Sequence, residues 1–243
     1  MVYCLLVWFL FFCFSHILCS VSFLFSPFFL LTSTGVTNVL YCALQGLINP
    51  GDEVVLLEPY FDIYASQVKL AGGIPIFCPL RSDVSKLENG QAVGASEFYT
   101  LDLEELASKI TSNTKVMILN SPHNPTGKIF NRKELEGIAN IVKNYSNLIV
   151  LSDEVYQHII FDPKKEPHIS IATVNDGQIW DQTLTMSSAG KTFACTGWKV
   201  SAKYLFQISL IIHIEYTHSC DIQVFHCVVA FLYTIFVHRL VGR

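Results

Sequence analysis

Short apolar runs alternate with helix-like stretches through the middle of this 243-residue chain. Each run has the length and composition of a strand that is buried on both faces of a sheet. The runs are Val54–Leu57, Pro75–Leu80, Val116–Asn120, Leu148–Ser152 and Thr183–Ser187. Their alternation with helices predicts βαβ units, and therefore an α/β fold with helices on both faces of a mostly parallel sheet.

The stretches between these runs carry helix patterns and helix boundary signals. The predicted helices are Val36–Ile48, Tyr60–Leu70, Leu103–Ile110 and Arg132–Tyr145. The first ends before Asn49-Pro50-Gly51 and the second at Gly72-Gly73, both of which are stop signals. Asn131 precedes Glu134 by three residues, so the last helix begins with a capping-box arrangement. The segment Ser82–Ser96 is predicted to be a loop.

Charged residues are concentrated in the middle of the chain. No Asp, Glu, Lys or Arg lies from Met1 to Gly51, and only five lie from Ser201 to Arg243. We therefore divide the chain into an apolar segment 1–31, a globular domain 32–200 and an apolar tail 201–243. A membrane span needs about 20 apolar residues, which the first segment has, but the basic flank of a signal peptide or an oriented span is missing. A membrane anchor, a signal and an aberrant start stay open as alternatives.

Charge and cysteine usage exclude several classes of protein. The net charge of -4 and the pI of about 6.0 argue against a nucleic-acid-binding protein. The eight cysteines form no C-x-x-C pair and no zinc-type cluster with histidine, so we predict no metal site and no disulfide scaffold. We therefore expect the protein in a reducing compartment. The cytoplasm is the first expectation, the mitochondrion the second, and a membrane is the alternative location.

Two motifs follow predicted strands, and ligands of open α/β sheets bind at the carboxyl ends of strands. They are NSPHNPTG at Asn120–Gly127 and SSAGKTF at Ser187–Phe193. The second is not a P-loop, because Thr185 stands where the first glycine is needed. Ser188 and Lys191 have the S-x-x-K spacing of penicillin-binding enzymes, but the S-D-N and K-T-G partner motifs are absent. A Schiff-base lysine at Lys191 is the remaining interpretation.

Together with Ser152-Asp153-Glu154-Val155-Tyr156 between them, these motifs resemble the fold-type I pyridoxal-phosphate-dependent aminotransferases, in that family's order. Within the family, EPYFDIY at Glu58–Tyr64 and GKTF at Gly190–Phe193 are most similar to the kynurenine aminotransferases, also known as cysteine-S-conjugate β-lyases. The resemblance extends from about Thr32 to Val200. It implies the large domain of that fold, a three-layer sandwich that works as a homodimer.

The resemblance also implies roles for individual residues. Lys191 would carry the pyridoxal 5'-phosphate and move the proton from the substrate Cα. Asp153 would pair with the pyridinium nitrogen and keep the ring protonated. Tyr156 and Asn124 would hydrogen-bond the oxygen on the ring, and Phe61 would stack on its face. Lys191, Asp153 and Tyr156 are therefore the expected catalytic residues.

The cofactor phosphate needs backbone N–H donors and cations. Gly35 and Val36 open a predicted helix and would supply N–H groups at its N-terminus. Ser188 would add a hydroxyl and Lys199 a positive charge. Thr37 departs from the aromatic residue that the family usually carries near this point.

The reaction implied is transfer of the amino group of a kynurenine-like, aromatic or sulfur amino acid to a 2-oxo acid, with β-lyase activity as an addition. The family's small domain, which carries the substrate-carboxylate arginine, has no counterpart here, so no arginine receives that role. Further strands of the family sheet follow Val200, which leads us to expect an uncovered sheet edge. Two alternatives stay open: a non-catalytic fragment or splice variant that retains a cofactor-binding layer, and a protein anchored to or associated with a membrane through its apolar ends.

Overall fold

The computed structural model describes residues 28–87, 94–198 and 201–206. Within them, eight strands form one sheet in the order β1-β8-β7-β6-β5-β2-β3-β4. The strands are β1 Phe28–Ser33, β2 Glu53–Glu58, β3 Ile74–Ser82, β4 Tyr99–Leu101, β5 Thr114–Asn120, β6 Ile149–Asp153, β7 Thr183–Ser188 and β8 Ser201–Phe206. From β7 to β3 all neighbours are parallel, while the remaining pairs are antiparallel. The predicted α/β fold with a mostly parallel sheet is confirmed.

Six α-helices connect the strands of the described part. They are α1 Val36–Leu47, α2 Ile63–Leu70, α3 Ala95–Phe98, α4 Leu103–Lys109, α5 Arg132–Val142 and α6 Ala189–Thr192. Short 3₁₀ helices cover Val84–Leu87, Ile171–Thr173, Asn175–Gly177, Trp180–Gln182 and Thr196–Trp198. All five predicted strands and all four predicted helices are present, with ends that differ by a few residues.

The sheet lies between two apolar cores, as a three-layer sandwich requires. On β2, Val55 and Leu57 face the core formed with α4 and α5, whereas Val54 and Leu56 face the core formed with α1 and α2. Successive side chains of a strand point to opposite faces of the sheet. Burial on both faces therefore explains why the strand sequences are continuously apolar rather than alternating.

Local signals set two of the helix boundaries. At the start of α5, the Asn131 side chain accepts a hydrogen bond from the Glu134 backbone N at 3.0 Å. The Glu134 carboxylate accepts one from the Asn131 backbone N, also at 3.0 Å, which completes the predicted capping box. After α2, Gly72 adopts a φ of 83°, a left-handed conformation that glycine reaches without steric cost.

Tertiary contacts shorten two helices relative to the prediction. Helix α2 begins at Ile63 rather than at Tyr60, whose ring stacks on Phe77 with centroids 5.4 Å apart and an interplanar angle of 8°. Helix α5 stops short of Tyr145, whose carbonyl accepts a hydrogen bond from Gln182 Nε2 at 2.8 Å. Neither contact is visible in the local sequence, because each joins residues that are far apart in the chain.

The segment Ser82–Ser96 is not the plain loop that was predicted. A 3₁₀ helix covers Val84–Leu87 and α3 begins near the end of the segment, while residues 88–93 lie outside the described part. The Ser96 hydroxyl accepts a hydrogen bond from the Ile129 backbone N at 2.9 Å. Its carbonyl accepts one from the buried Lys128 ammonium at 3.3 Å. These long-range hydrogen bonds fix the position of the short helix α3.

Strands β1 and β8 were not predicted, because an apolar run without periodicity favours no particular element. Strand β8 pairs with β7 from Leu184–Leu205 to Ser188–Ser201 and with β1 on its other side. Strands β8 and β1 cover that side of β7, and in the described residues the sheet ends at β1 instead. The expectation of an uncovered sheet edge stays a prediction. The division at residues 32 and 200 stays a prediction, because 1–27 and 207–243 lie outside the described residues. In the described residues, no helix is both long enough and apolar enough to span a bilayer.

Candidate active site

A cavity of about 280 Å³ opens at the carboxyl ends of β5, β6 and β7, and residues at the N-termini of α1 and α2 also line it. Eight of the predicted cofactor-site residues line it: Gly35, Val36, Phe61, Asn124, Asp153, Tyr156, Ser188 and Lys191. The ninth, Lys199, lies outside the described residues. The fold thus brings together side chains and backbone groups from both motifs. Their roles toward a ligand stay a prediction.

Asp153 is the buried acidic group of this cavity. It is the last residue of β6 and is 4% exposed. The Tyr64 hydroxyl donates a hydrogen bond to its Oδ2 at 2.6 Å, and the Val155 backbone N donates to its Oδ1 at 3.3 Å. The carboxylate is therefore fixed in orientation by donors on two sides while it faces the cavity.

Burial dominates the electrostatics of this carboxyl group. It raises the pKa of Asp153 to about 6, against the lowering effect of the hydrogen bonds from Tyr64 and Val155. The charge of Glu154 raises this pKa further, and that of Lys191 lowers it. Burial, followed by the charge of Asp153, also raises the pKa of the Tyr64 phenol well above its usual value. Tyr64 therefore remains a hydrogen-bond donor at neutral pH.

The raised pKa of Asp153 makes a prediction about stability. Between the unfolded-state value of 3.8 and the folded-state value of about 6, the folded chain binds more protons than the unfolded chain. Stability therefore falls as pH rises, and we expect this residue to lower the free energy of unfolding by about 2 kcal/mol from pH 4 to pH 6. Urea denaturation without added ligand measures this, with Asp153→Asn as the control. Equal pH dependence in the two chains would contradict the prediction.

Lys191 lies on α6, directly after β7, and its side chain is exposed toward the cavity. The Ser188 hydroxyl accepts a hydrogen bond from the Lys191 backbone N at 3.4 Å and so caps this short helix. The Lys191 ammonium lies 5.3 Å from the centroid of the Tyr156 ring, within the range of a cation–π contact. The Lys191 amine and the Tyr156 ring therefore lie next to each other in the cavity lining.

The N-terminus of α1 is built to present backbone N–H groups. Gly35 has a φ of 120°, a conformation that L-residues rarely adopt. Its carbonyl accepts from Asn38 and Val39 at 3.0 and 3.2 Å, and no side chain caps the helix. The first turn also contains no acidic residue. The amides at Val36 and Thr37 therefore carry the positive end of the helix dipole into the cavity.

Phe61 provides the aromatic wall of the cavity. Its ring is half-buried and contacts the Tyr64 ring edge-on, with centroids 5.6 Å apart and an interplanar angle of 87°. Tyr64 is itself fixed by its bond to Asp153. A flat ligand could therefore stack on Phe61 while one edge meets the carboxylate. Across the described residues, no group of His, Cys, Asp and Glu side chains is arranged to hold a metal ion.

Comparison with known proteins identifies the family. Residues 22–214 match the family model for aminotransferases of class I and II. The chain belongs to this aminotransferase family. Its members typically use pyridoxal phosphate. The resemblance seen in the motifs is thereby confirmed, as is the large-domain fold.

The most similar curated aminotransferases include two kynurenine–oxoglutarate transaminases. Kynurenine–oxoglutarate transaminase 1 of Homo sapiens is 41% identical over 197 residues, which cover 81% of this chain and 44% of the relative. Kynurenine–oxoglutarate transaminase 3 of Bos taurus is 45% identical over 171 residues, which cover 70% and 36%. The chain thus spans less than half the length of these relatives.

Solved aminotransferase structures show the same architecture. Bna3p of Saccharomyces cerevisiae matches with a TM-score of 0.66 and 38% identity, covering 72% of this chain and 39% of that one. N-Succinyldiaminopimelate aminotransferase of Mycobacterium tuberculosis matches with a TM-score of 0.62 and 37% identity, covering 72% and 41%. The likeness thus extends over 72% of this chain in both cases.

Two polar residues of this aminotransferase site were missed by sequence reasoning. Tyr64 lies three residues after Phe61, and helical spacing could have placed both on one face of the predicted helix Tyr60–Leu70. Its partner Asp153 is 89 positions away, and no local signal indicates that pairing. Asn120 begins the first motif and lines the cavity, but its side-chain bonds depend on how the strands are paired.

Proposed function

We propose that this chain binds pyridoxal 5'-phosphate in the described cavity and serves the transfer of an amino group from an amino acid to a 2-oxo acid. The observation that carries the proposal is the convergence of Lys191, Asp153, Tyr156 and Asn124 on one cavity. Each contributes a different chemical group: an amine, a buried carboxylate, a phenol and a carboxamide. The family match supports the same reaction class.

The chemistry of the cavity walls fits this cofactor. A protonated ring nitrogen requires a carboxylate shielded from water, and Asp153 is 4% exposed. An aldehyde carbon requires a primary amine, which Lys191 offers. Backbone N–H groups at a helix N-terminus bind a phosphate. Gly35 and Val36 lie at the N-terminus of α1, whose first turn contains no acidic residue. Phe61 supplies the stacking surface.

When bound, the cofactor supplies a conjugated cationic ring that stabilises negative charge at the substrate Cα. Asp153 holds the proton at the ring nitrogen, because its buried carboxylate favours a cationic partner over an uncharged one. Lys191 would be the residue that holds the cofactor covalently, and its Nζ would take the proton from the substrate Cα and return it. Proton transfer requires that amine to lie beside the substrate Cα, and the position of Lys191 on α6, directly after β7, supports this assignment.

The remaining residues orient the cofactor. We assign the Asn124 carboxamide and the Tyr156 hydroxyl to the oxygen on the ring, opposite to Asp153. Ser188 lies beside Lys191 and would add a hydroxyl at the phosphate end together with the α1 amides. Lys199 would add a positive charge there. Fixing both edges of the ring keeps the reacting atom beside Lys191.

The proposed substrates are kynurenine-like, aromatic or sulfur amino acids, because the similar relatives are kynurenine–oxoglutarate transaminases. Substrates with a leaving group on Cβ would also be eliminated, which is the β-lyase reaction. Both described arginines lie outside the lining of the cavity: Arg81 pairs with Glu105 at 2.6 Å and Arg132 with Glu136 at 3.9 Å. The substrate carboxylate is therefore left without an arginine in the described part. A homodimer and membrane association through the apolar ends stay predictions.

Absorbance spectroscopy of the purified chain with added pyridoxal phosphate tests the proposal, followed by borohydride reduction and peptide mapping. We expect a visible absorbance band and a label on Lys191. Assays with kynurenine and 2-oxoglutarate then measure turnover, and an S-conjugate of cysteine measures elimination. Light scattering measures the expected homodimer.

The alternative of a non-catalytic fragment makes a different prediction for the same samples. It is favoured by the observation that the chain spans 44% of its human relative. In that case the label still falls on Lys191, but transamination stays far below the rate of about 1 s⁻¹ or more expected of an intact enzyme. A label scattered over several lysines, with no visible band, would contradict cofactor binding itself.

A further inference from the structure

The Asn120 side chain lies where two parallel strands of the sheet end. Asn120 is the last residue of β5 and stands opposite Asp153, the last residue of β6, in the register of the two strands. Its carboxamide is 3% exposed and lines the cavity. The register of the two strands ends at this pair, and one backbone hydrogen bond follows it, from the Ser121 N to the Asp153 carbonyl at 3.1 Å.

Both polar atoms of this carboxamide bond to backbone groups. Asn120 Nδ2 donates to the Asp153 carbonyl at 2.8 Å, and Asn120 Oδ1 accepts from the Asn124 backbone N at 2.6 Å. Exchanging the oxygen and nitrogen would place acceptor against acceptor and donor against donor, so only one orientation satisfies the network. The carboxamide therefore forms a bridge of two hydrogen bonds between Asp153 and Asn124.

We infer that Asn120 is a positioning residue that fixes the separation between the Asp153 carboxylate and the Asn124 carboxamide. The inference rests on the proposed function, in which these two groups hold opposite edges of the cofactor ring. Asn120 itself does not need to touch the cofactor. Without it, the Asn124 backbone N–H loses its partner within the described residues, whereas the Asp153 carbonyl keeps the bond from the Ser121 backbone N at 3.1 Å. The loop bearing Asn124 is therefore the side that loosens.

The variant Asn120→Ala tests the inference with readouts that a loss of stability alone would not change. We expect the cofactor dissociation constant to rise about tenfold, as for the loss of a buried hydrogen bond. We also expect the visible circular dichroism per bound cofactor to change, since this signal reports ring orientation. In the chain without cofactor, NMR should show exchange of the Asn124 amide at least about tenfold faster.

Gln182→Ala is the matched control. Gln182 Nε2 also bridges two backbone groups, donating to the Tyr145 and Leu148 carbonyls at 2.8 and 2.9 Å. It precedes β7, at the end of that strand opposite to the cavity. We expect a lower melting temperature but unchanged dichroism per bound cofactor and unchanged exchange at Asn124. If Asn120→Ala matches this control in both readouts, the inference is wrong.

Asn120→Asp provides a second variant of the same shape in case Asn120→Ala does not fold. It keeps the acceptor for the Asn124 N–H but replaces the donor with an oxygen that repels the Asp153 carbonyl. In this variant we expect hydrogen exchange of the Asn124 amide to stay slow and the visible circular dichroism per bound cofactor to change. Unchanged dichroism would overturn the inference. If the unmutated chain binds no cofactor, the proposed function fails, while amide exchange in Asn120→Ala still decides whether the bridge orders the loop.

Discussion

Replacing Lys191 with alanine is expected to abolish the borohydride-stable cofactor label and to lower transamination by at least about 10³-fold. The proposed reaction uses the Lys191 amine twice, as attachment point and as the group that moves a proton. Among the described residues that line the cavity, Lys191 alone has a primary amine. Peptide mapping measures the label, and a coupled assay of 2-oxo acid consumption measures turnover.

Lys69→Ala is the matched control for this variant. Lys69 is exposed in the last turn of α2 and does not line the cavity. Its replacement should leave both label and turnover unchanged. A visible band of the same height in Lys191→Ala and in the unmutated chain would contradict the assignment. The label decides the question even if turnover of the chain is low, because it depends on binding alone.

Asp153→Asn is expected to lower transamination by about 10²- to 10³-fold while the fold is retained. The carboxamide has nearly the same shape as the carboxylate, and it can still accept the hydrogen bond from Tyr64. It cannot stabilise a proton on the ring nitrogen, so the ring accepts negative charge less well. Turnover at saturating cofactor measures the loss, and a loss below about threefold would argue against the pairing of Asp153 with the ring.

Tyr64→Phe separates the charge of Asp153 from its hydrogen bonding. This variant keeps the carboxylate and removes a bond that lowers its pKa, so the pKa of Asp153 should rise above about 6. More of the carboxyl group is then protonated at pH 6 than in the unmutated chain. We expect cofactor binding to weaken at pH 6 and to recover toward pH 8. Asp153→Asn should not recover, because its carboxamide does not ionise.

The strands and helices were predictable where they follow from local chemistry. The apolar runs of β2, β5 and β6 reflect burial on two faces, and Asn131 with Glu134 marks the start of α5 by bonds within one turn. Strands β1 and β8 were not predictable in this way. Their partners lie at opposite ends of the described chain, and an apolar run alone does not distinguish a strand from a membrane span.

The same distinction between local and long-range signals applies to the residues of the candidate site. Lys191, Asp153 and Asn124 were found from motifs because each follows a strand within a short, recognisable sequence. Tyr64 and Asn120 were not, since their roles consist of bonds to Asp153 from different elements. Such bonds depend on which strands become neighbours and in what register. A single sequence gives neither the order nor the register of the strands. Residues that support the site indirectly therefore cannot be identified from it.

The position of β8 between β1 and β7 has a consequence for the order of assembly. During synthesis, β1 leaves the ribosome early but cannot join the sheet until residues 201–206 have emerged, because β8 is its only partner strand within the described residues. Contacts between distant parts of a chain form slowly, since a long loop must close first. Gly35 and the first turn of α1 directly follow β1, so the segment that leads into the wall we assign to the phosphate joins the sheet only after β8 has formed, whereas the rest of α1 can pack on α2 and β7 before that. A nascent chain arrested before β8 would then hold Lys191 and Asp153 without a complete anion-binding wall.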